Sequence, residues 1–464
     1  MLLDLTRYSP AVLLKEGKEL AVLAWPILLA QVAAVGVGFV DTVMAGNVGT
    51  DDLSAVALGS AAFTTVLISL MGIMTALNPV IAQLHGAGET GRVGEAGRQG
   101  LWFGLLSGLA GMLLLGISVR PFLNYLEWSE KVEAMLSQYL YFTAPAMPAA
   151  MIHRAIHAYL ASLGRPKPIM WVSWAALLLN IPLNYIFVYG KFGLPALGGA
   201  GCGLATLLVF WFSAAALWHF AAKDNGLQKF GLCCGFSRPD IQAIRQYWHL
   251  GWPAGLSYFL EVSLFTFIMF LITRFGQTDV AAQQIVISLT GIIYMIPQSV
   301  GAAVTVRVGF SLGKGWRCRA RYISGVGFLI GILLALATMI LLAFFRQPLA
   351  DIYTDDAEVL ALASSVLLFA AVFQLFDFTQ CIASYALRGY KITKAPMLVH
   401  GIAFWGLGLL PGYLLANHGG LKIYGFWTAL TVSLAAAAIL LVWLLERHSR
   451  ILALEHGFPN VKEN

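Results

Sequence analysis

Runs of about 20 apolar residues, separated by short polar connections, recur along the whole chain. Twelve can be drawn: 19–45, 54–84, 94–119, 131–160, 168–190, 198–222, 243–273, 280–309, 322–345, 357–387, 395–417 and 424–446. A helix rises about 1.5 Å per residue, so each run is long enough to cross roughly 30 Å of hydrocarbon. Lipid offers no partner to a bare N–H or C=O, so each span must pair its backbone internally, and helices are the expected form. The pattern predicts an all-α polytopic membrane protein with twelve transmembrane helices. The first run is preceded by mixed residues and carries no cleavage pattern, so it is expected to remain as the first helix.

The runs repeat. Trp25-Pro26 opens the first and Trp252-Pro253 the seventh, and each is followed 24 residues later by a similar turn, GTDDLSA from Gly49 and GQTDVAA from Gly276. The offset is 227 residues in both places. ASLGRPKP after the fourth run lines up more loosely with ALRGYKITKAP after the tenth. This predicts two six-helix bundles, 1–222 and 243–464, joined by a polar linker over 223–242. An even number of spans returns the chain to its starting side, so the pseudo-twofold axis relating the bundles is expected along the membrane normal. Substrate sites in such repeats lie where the two halves meet.

Composition adds little to the fold but decides how the charge is read. Hydrophobic residues make up 59% of the 464 and charged residues only 11%, against about 25% in soluble domains. The net charge of +6 does not point to nucleic acid. Of the 29 Lys and Arg, 23 fall on one set of alternating connections and termini, among them Arg7, Lys167, Arg238, Lys314 and Arg447. The opposite side holds six: Arg120, Lys131, Lys191, Arg274, Arg346 and Lys422. The positive-inside rule then places both termini in the cytoplasm. The five cysteines, Cys202, Cys233, Cys234, Cys318 and Cys381, lack metal-ligand spacing and are assigned no disulfide.

Three carboxylates break the apolar runs: Asp41 in VGVGFVDTVMAG, Glu261 in FLEVSLF and Asp377 in FQLFDFTQ. A charge at the bilayer centre costs about 2.5–3.5 kcal/mol on insertion scales, so such residues usually face a bundle interior or water. The positions matching Glu261 and Asp377 in the first half are Ala34 and about Ile152, so the two deep acids belong to one half only. Phe265 and Gln380 lie one turn along the same helical faces, and Tyr294, followed by Gln298, brings a polar tip to the eighth span. A desolvated carboxylate is relieved by a proton, by Na⁺ or by an organic cation, which makes the three competitors. Glu261, Asp377 and Tyr294 are therefore the expected coupling-cation site, with Glu261 and Asp377 ligating Na⁺ if sodium couples. The loop RQPLADIYTDDAEVL adds Asp355 and Asp356, either as a cap on the tenth helix or as an acidic mouth that attracts cations. Asp355, Asp356, Phe265 and Gln284 make up the expected substrate-binding set, to which the family resemblance below adds Asp41.

These residues resemble the NorM branch of the MATE (multidrug and toxic compound extrusion) family over essentially the full length. The likeness is carried by the WP opening of both halves, VDTVMAG, FLEVSLF, FDFTQ and ALRGYKITKAP. It implies an antiporter of the bacterial inner membrane, not an enzyme. Such a protein exports cationic amphiphilic drugs and dyes in exchange for Na⁺ or H⁺ and needs no resident cofactor. Membrane lipid is the expected surrounding partner, and a monomer is expected. A flippase for a lipid-linked precursor shares the architecture, but its cavity should be basic to hold phosphate, whereas the charges here are acidic. HRAIH, with His153 and His157, lacks the glutamate of a zinc motif, and GGAGCG follows no strand. Gly100, Gly104, Gly108 and Gly111 form a stripe suited to close helix packing.

Overall fold

The computed structural model describes residues 10–125, 129–233, 235 and 237–454. Arg7 and Cys234 lie outside the described residues, as does the Arg120 side chain. Among the described residues the chain is helical throughout, with no strand. The first half contains α1 (Pro10–Gly46), α2 (Thr50–Gly86), α3 (Thr90–Tyr125), α4 (Glu130–Thr143 continued by Ala146–Ser162), α5 (Lys167–Tyr189) and α6 (Ala200–Lys223). The second contains α7 (Ile241–Ile272), α8 (Gln277–Gly313), α9 (Arg317–Asp351), α10 (Ala357–Gly389), α11 (Lys394–Asn417) and α12 (Lys422–Leu454). Among the described residues, eleven of the twelve are apolar helical stretches long enough to span a bilayer, with a turn at Thr75-Ala76 inside α2. The exception, α4, is broken at Ala144-Pro145 because the proline ring has no N–H to donate and crowds the preceding turn.

Proline also sits inside α1 (Pro26), α5 (Pro182), α7 (Pro253), α8 (Pro297) and α9 (Pro348). Residues Ile402–Leu409 of α11 widen into a π-helix, a form that often accompanies functional positions. The helix ends follow local chemistry. Gly190 closes α5 at φ 65°, ψ 51°, and a Cβ there would lie 2.5 Å from the Ala196 nitrogen, so only glycine fits.

The chain folds as two compact units. One comprises Pro26–Gly255; the other combines the segment ending at Trp25 with the chain from Leu256 onward. The changeovers fall within α1 at Trp25-Pro26 and within α7 just past Trp252-Pro253, so the repeated WP pair marks where each of these helices passes from one unit to the other.

In the Pro26–Gly255 unit the core gathers Met74, Leu77, Phe103, Met151, Tyr159 and Tyr247. Here α3 and α4 approach backbone to backbone: a Cβ on Gly108 would lie 2.4 Å from Pro148 Cα, and one on Gly104 2.8 Å from the Met151 carbonyl oxygen. Close approach of this kind maximises dispersion contacts where lipid supplies no hydrophobic drive. The 223–242 segment is fastened onto α3. Gln99 Nε2 donates to the Arg238 carbonyl (2.8 Å), Trp102 Nε1 to the Ser237 carbonyl (2.9 Å), and the Ser237 hydroxyl to Glu95 (2.6 Å).

The other unit is built on two apolar clusters, one around Ile268, Phe373, Phe426 and Trp427, the other around Leu20, Val304, Ile323 and Leu441. The first turns of α1 belong to it. Glu16, 1% exposed, accepts from Arg307 Nη2 (2.6 Å) and Arg319 Nε (2.9 Å), and Glu19 also pairs with Arg307.

Candidate functional site

The three intramembrane acids fall into two clusters, one in each unit. In the unit from Leu256 onward, Pro253 precedes Glu261 on α7 by two turns. Tyr294 on α8 donates to Glu261 Oε2 at 3.4 Å. Asp377 on α10 is buried and accepts from Gln380 Nε2 at 3.1 Å. Gln380 Oε1 in turn faces His400 Nε2 on α11 at 2.9 Å, so with this amide orientation Nε2 carries the proton and Nδ1 does not. His400 stacks on Phe404, ring centroids 5.3 Å apart, and this contact lies at the start of the π-helical segment. Trp405 Nε1 donates to the Leu260 carbonyl at 3.2 Å and holds that segment against α7 beside Glu261.

A small cavity is lined by Glu261 and Tyr258 of α7, Tyr294 of α8, His400 of α11, and Gln380, Cys381, Ser384, Tyr385 and Arg388 along the end of α10. The two carboxylates are near enough to act on one another electrostatically. Their hydrogen-bond partners are a phenol and an amide, so neither is neutralised by a salt bridge among the described residues. Two negative charges in poorly hydrated surroundings, flanked by neutral oxygens, form a site that a small hard cation satisfies.

In the Pro26–Gly255 unit, Asp41 on α1 is caged. Asn180 and Asn184, one turn apart on α5 around Pro182, donate to its Oδ1 at 3.1 and 2.5 Å. Thr206 on α6 donates to Oδ2 at 3.2 Å. All four residues are buried, and Asn184 Oδ1 has no hydrogen-bond partner among the described residues. The cage concentrates carboxylate, amide and hydroxyl oxygens, again a donor set for a hard cation.

Of the expected site residues, the fold brings Glu261, Tyr294 and Asp377 together and sets Asp41 in its own cage. Phe265 packs half-buried on the apolar cluster around Ile268. Gln284 is exposed, while its neighbour Gln283 is buried and accepts from Trp427 Nε1 at 2.8 Å. Asp355 and Asp356 are exposed; Asp356 Oδ1 caps α10 by accepting from Glu358 N (2.9 Å) and Val359 N (3.3 Å). Asn180, Asn184, Thr206, Ser384, Arg388 and His400 were not anticipated as site residues. His153 and His157 lie on α4 with rings 6.4 Å apart, Arg154 Nη1 3.3 Å from His157 Nδ1, and no three metal-ligand side chains cluster among the described residues.

Twelve apolar helices in two repeats, each with a buried carboxylate held by neutral polar side chains, define a polytopic membrane protein of the transporter class. The MatE family model matches residues 26–186 and again 253–414, and the chain belongs to that family. The two matches begin at Pro26 and Pro253, the same 227-residue step as the repeat. Among curated relatives, the probable multidrug resistance protein NorM of Neisseria meningitidis serogroup B is 62% identical, covering 98% of this chain and 99% of its own. Its counterpart in Chromobacterium violaceum is 46% identical, over 97% and 98%. The solved MATE transporter NorM-NG, in complex with rhodamine 6G and a monobody, is 59% identical with a TM-score of 0.81, covering 93% of this chain and 94% of that one. The eukaryotic MATE transporter AtDTX14, at 20% identity and a TM-score of 0.85 over 96% and 99%, shares the fold.

Proposed function

We propose that this chain is a cation-coupled antiporter that exports cationic amphiphilic drugs and dyes across the bacterial inner membrane, with both termini in the cytoplasm, working as a monomer. The observation that carries the reading is the pair of intramembrane carboxylates Glu261 and Asp377, each held by a neutral donor, Glu261 lining a small cavity and Asp377 joined to it through Gln380, and both unmatched in the other half of the repeat. The names of the relatives and the rhodamine 6G complex of NorM-NG support the substrate class.

Na⁺ or H⁺ arriving from outside neutralises these acids and weakens the hold on a cationic substrate, so the ion gradient drives expulsion. One elementary charge crossing 100 mV is worth about 2.3 kcal/mol, roughly a fortyfold concentration ratio. Tyr294 orients Glu261, and Asp41 serves as the second acid in contact with substrate or coupling ion. Asp355 and Asp356 attract cations at the outer mouth, and Phe265 and Gln284 contribute to the substrate wall.

The test is ethidium efflux from vesicles under imposed Na⁺ and pH gradients, comparing the native protein with Glu261→Gln and Asp377→Asn. Both variants should fold, as read by size-exclusion profile, and lose gradient-driven efflux. Full ion-driven efflux by both would refute the assignment.

A further inference from the structure

We infer that Arg388 is a resident counter-ion of the Glu261–Asp377 cavity, setting its net charge so that one Na⁺ completes it. This rests on the coupling role proposed above for the two acids.

Arg388 sits in the last turn of α10, 6% exposed, and lines the same cavity as Glu261. A guanidinium does not lose its proton in a protein, so its charge is permanent, and a buried charge demands compensation. The compensation here is aromatic. The guanidinium carbon lies 4.4 Å from the centroid of Tyr385 and 5.1 Å from that of Tyr258, and Nη1 donates to the Tyr258 hydroxyl at 3.3 Å. The two tyrosine hydroxyls are hydrogen-bonded to each other, which locks the cradle. Two ring faces at this distance stabilise a desolvated cation through their quadrupoles.

Held this way, Arg388 acts on Glu261 through space without occupying its oxygens. The ionisable groups facing the cavity are Tyr258 and Glu261 on α7, Tyr294 on α8, Cys381, Tyr385 and Arg388 on α10 and His400 on α11, with Asp377 joined through Gln380. With both carboxylates ionised and the phenols, thiol and imidazole neutral, two negative charges and one positive charge leave a single negative charge. A second observation points to a guest: Ser384 (1% exposed) and His400 (4% exposed) both line the cavity, and among the described residues Ser384 Oγ and His400 Nδ1 have no hydrogen-bond partner. Arg388 is thus a positioning residue for the coupling ion rather than a ligand of it.

Protein carrying Asp41→Asn, which removes the carboxylate of the other cage, is reconstituted in nanodiscs and titrated with ²²Na⁺ at fixed alkaline pH and constant ionic strength. This parent should bind about one Na⁺ per chain. Adding Glu261→Gln, which brings the count to zero, should abolish saturable binding, and adding Arg388→Gln to that variant should restore it through Asp377. Arg388→Gln alone should lower the half-saturating Na⁺ concentration at least about tenfold. Arg388→Lys, which keeps the charge, should stay within about threefold of the parent, and it carries the test if the glutamine variant fails to give a monodisperse protein. A parent with no saturable Na⁺ binding, a folded Arg388→Gln of unchanged or weaker affinity, or a lysine variant shifted beyond that range overturns the inference. Retained gradient-driven efflux by Glu261→Gln and Asp377→Asn would instead remove the coupling reading beneath it.

Discussion

Replacing Asp41 by asparagine should separate what the cage does for stability from what it does for transport. The carboxylate receives three side-chain hydrogen bonds, from Asn180, Asn184 and Thr206. A bond to a charged acceptor is worth about 1.5–3 kcal/mol and a neutral one about 0.5–1.5, so losing the charge weakens three bonds by a total of about 3 kcal/mol. Against this, the uncharged side chain no longer carries the roughly 2.5–3.5 kcal/mol cost of an ion at membrane depth. The two nearly cancel. The asparagine amide can keep its oxygen toward Asn180 and Asn184, while the Thr206 hydroxyl rotates to accept from the new NH₂. The expected result is an apparent melting temperature within about 2 °C of the native protein and an ethidium efflux rate at least about tenfold lower. Asp41→Ala is the contrast. It leaves the Asn180 donor unpaired in a buried site, at about 1–3 kcal/mol, and opens a void besides, so it should melt clearly earlier. Native efflux by Asp41→Asn, or a loss of stability equal to that of the alanine variant, would refute the reasoning.

Three further outcomes test the scaffold. Glu16→Ala removes the acid between Arg307 and Arg319. Because Arg319 is partly solvated and Glu19 still pairs with Arg307, the loss should fall below the about 3–5 kcal/mol of a fully buried pair, near 2 kcal/mol, read as a lower melting temperature. Gly108→Ala should disrupt packing, because its Cβ would lie 2.4 Å from Pro148 Cα, whereas the Cβ of Gly116→Ala on the same helix would meet nothing within 4 Å and should leave the melting temperature unchanged. Asp52 Oδ1 accepts from the Gly199 N–H at 2.6 Å at the start of α6, so Asp52→Ala should cost about 1–2 kcal/mol of stability while the protein that folds still exports ethidium.

The helices were legible because the bilayer imposes their length and apolarity directly. The predicted 168–190 and 395–417 meet observed α5 (Lys167–Tyr189) and α11 (Lys394–Asn417) within a residue. The ends are less legible where a helix runs past the hydrocarbon. α1 is already helical at Pro10, nine residues before the apolar run, since polar side chains such as Glu16 are satisfied by α8 and α9 partners that no local pattern reveals. The break in α4 and the π-helical stretch of α11 are equally hidden, because both read as continuous apolar sequence. Within the sites, Glu261 and Asp377 stand out because a charge in an apolar run has a cost that needs an explanation. Asn180, Asn184, Thr206 and Ser384 do not, since neutral amides and hydroxyls are ordinary in membrane helices. The i, i+4 spacing of Asn180 and Asn184 was the one signal available. Arg388 was missed for a different reason: an arginine near a helix end is by default a snorkelling side chain, and only the Tyr258–Tyr385 cradle shows that this one turns inward.

The repeat supplies a rule for sorting acids that neither hydropathy nor burial provides. Asp52 and Asp279 stand 227 residues apart and are both buried in the first turns of α2 and α8. A carboxylate kept in both halves answers a need that both halves share, and in the first half Asp52 fastens the start of α6 by accepting from the Gly199 N–H. The site acids behave in the opposite way. Asp41 corresponds to Ile268, which is fully buried in the apolar cluster of the other unit, and Glu261 corresponds to Ala34. The two clusters also use different members of their six-helix sets: α1, α5 and α6 around Asp41, but α7, α8, α10 and α11 around Glu261 and Asp377. A scaffold that repeats while its charges do not gives each unit an acid cluster of its own composition, one built on a lone carboxylate and the other on two carboxylates beside an arginine, and on the coupling reading proposed above each is a separate cation site. Their cation affinities should therefore differ, and titrating Na⁺ against the native protein should resolve two steps, of which Asp41→Asn removes one and Glu261→Gln the other. A single step lost equally in both variants would mean that the two clusters act as one site.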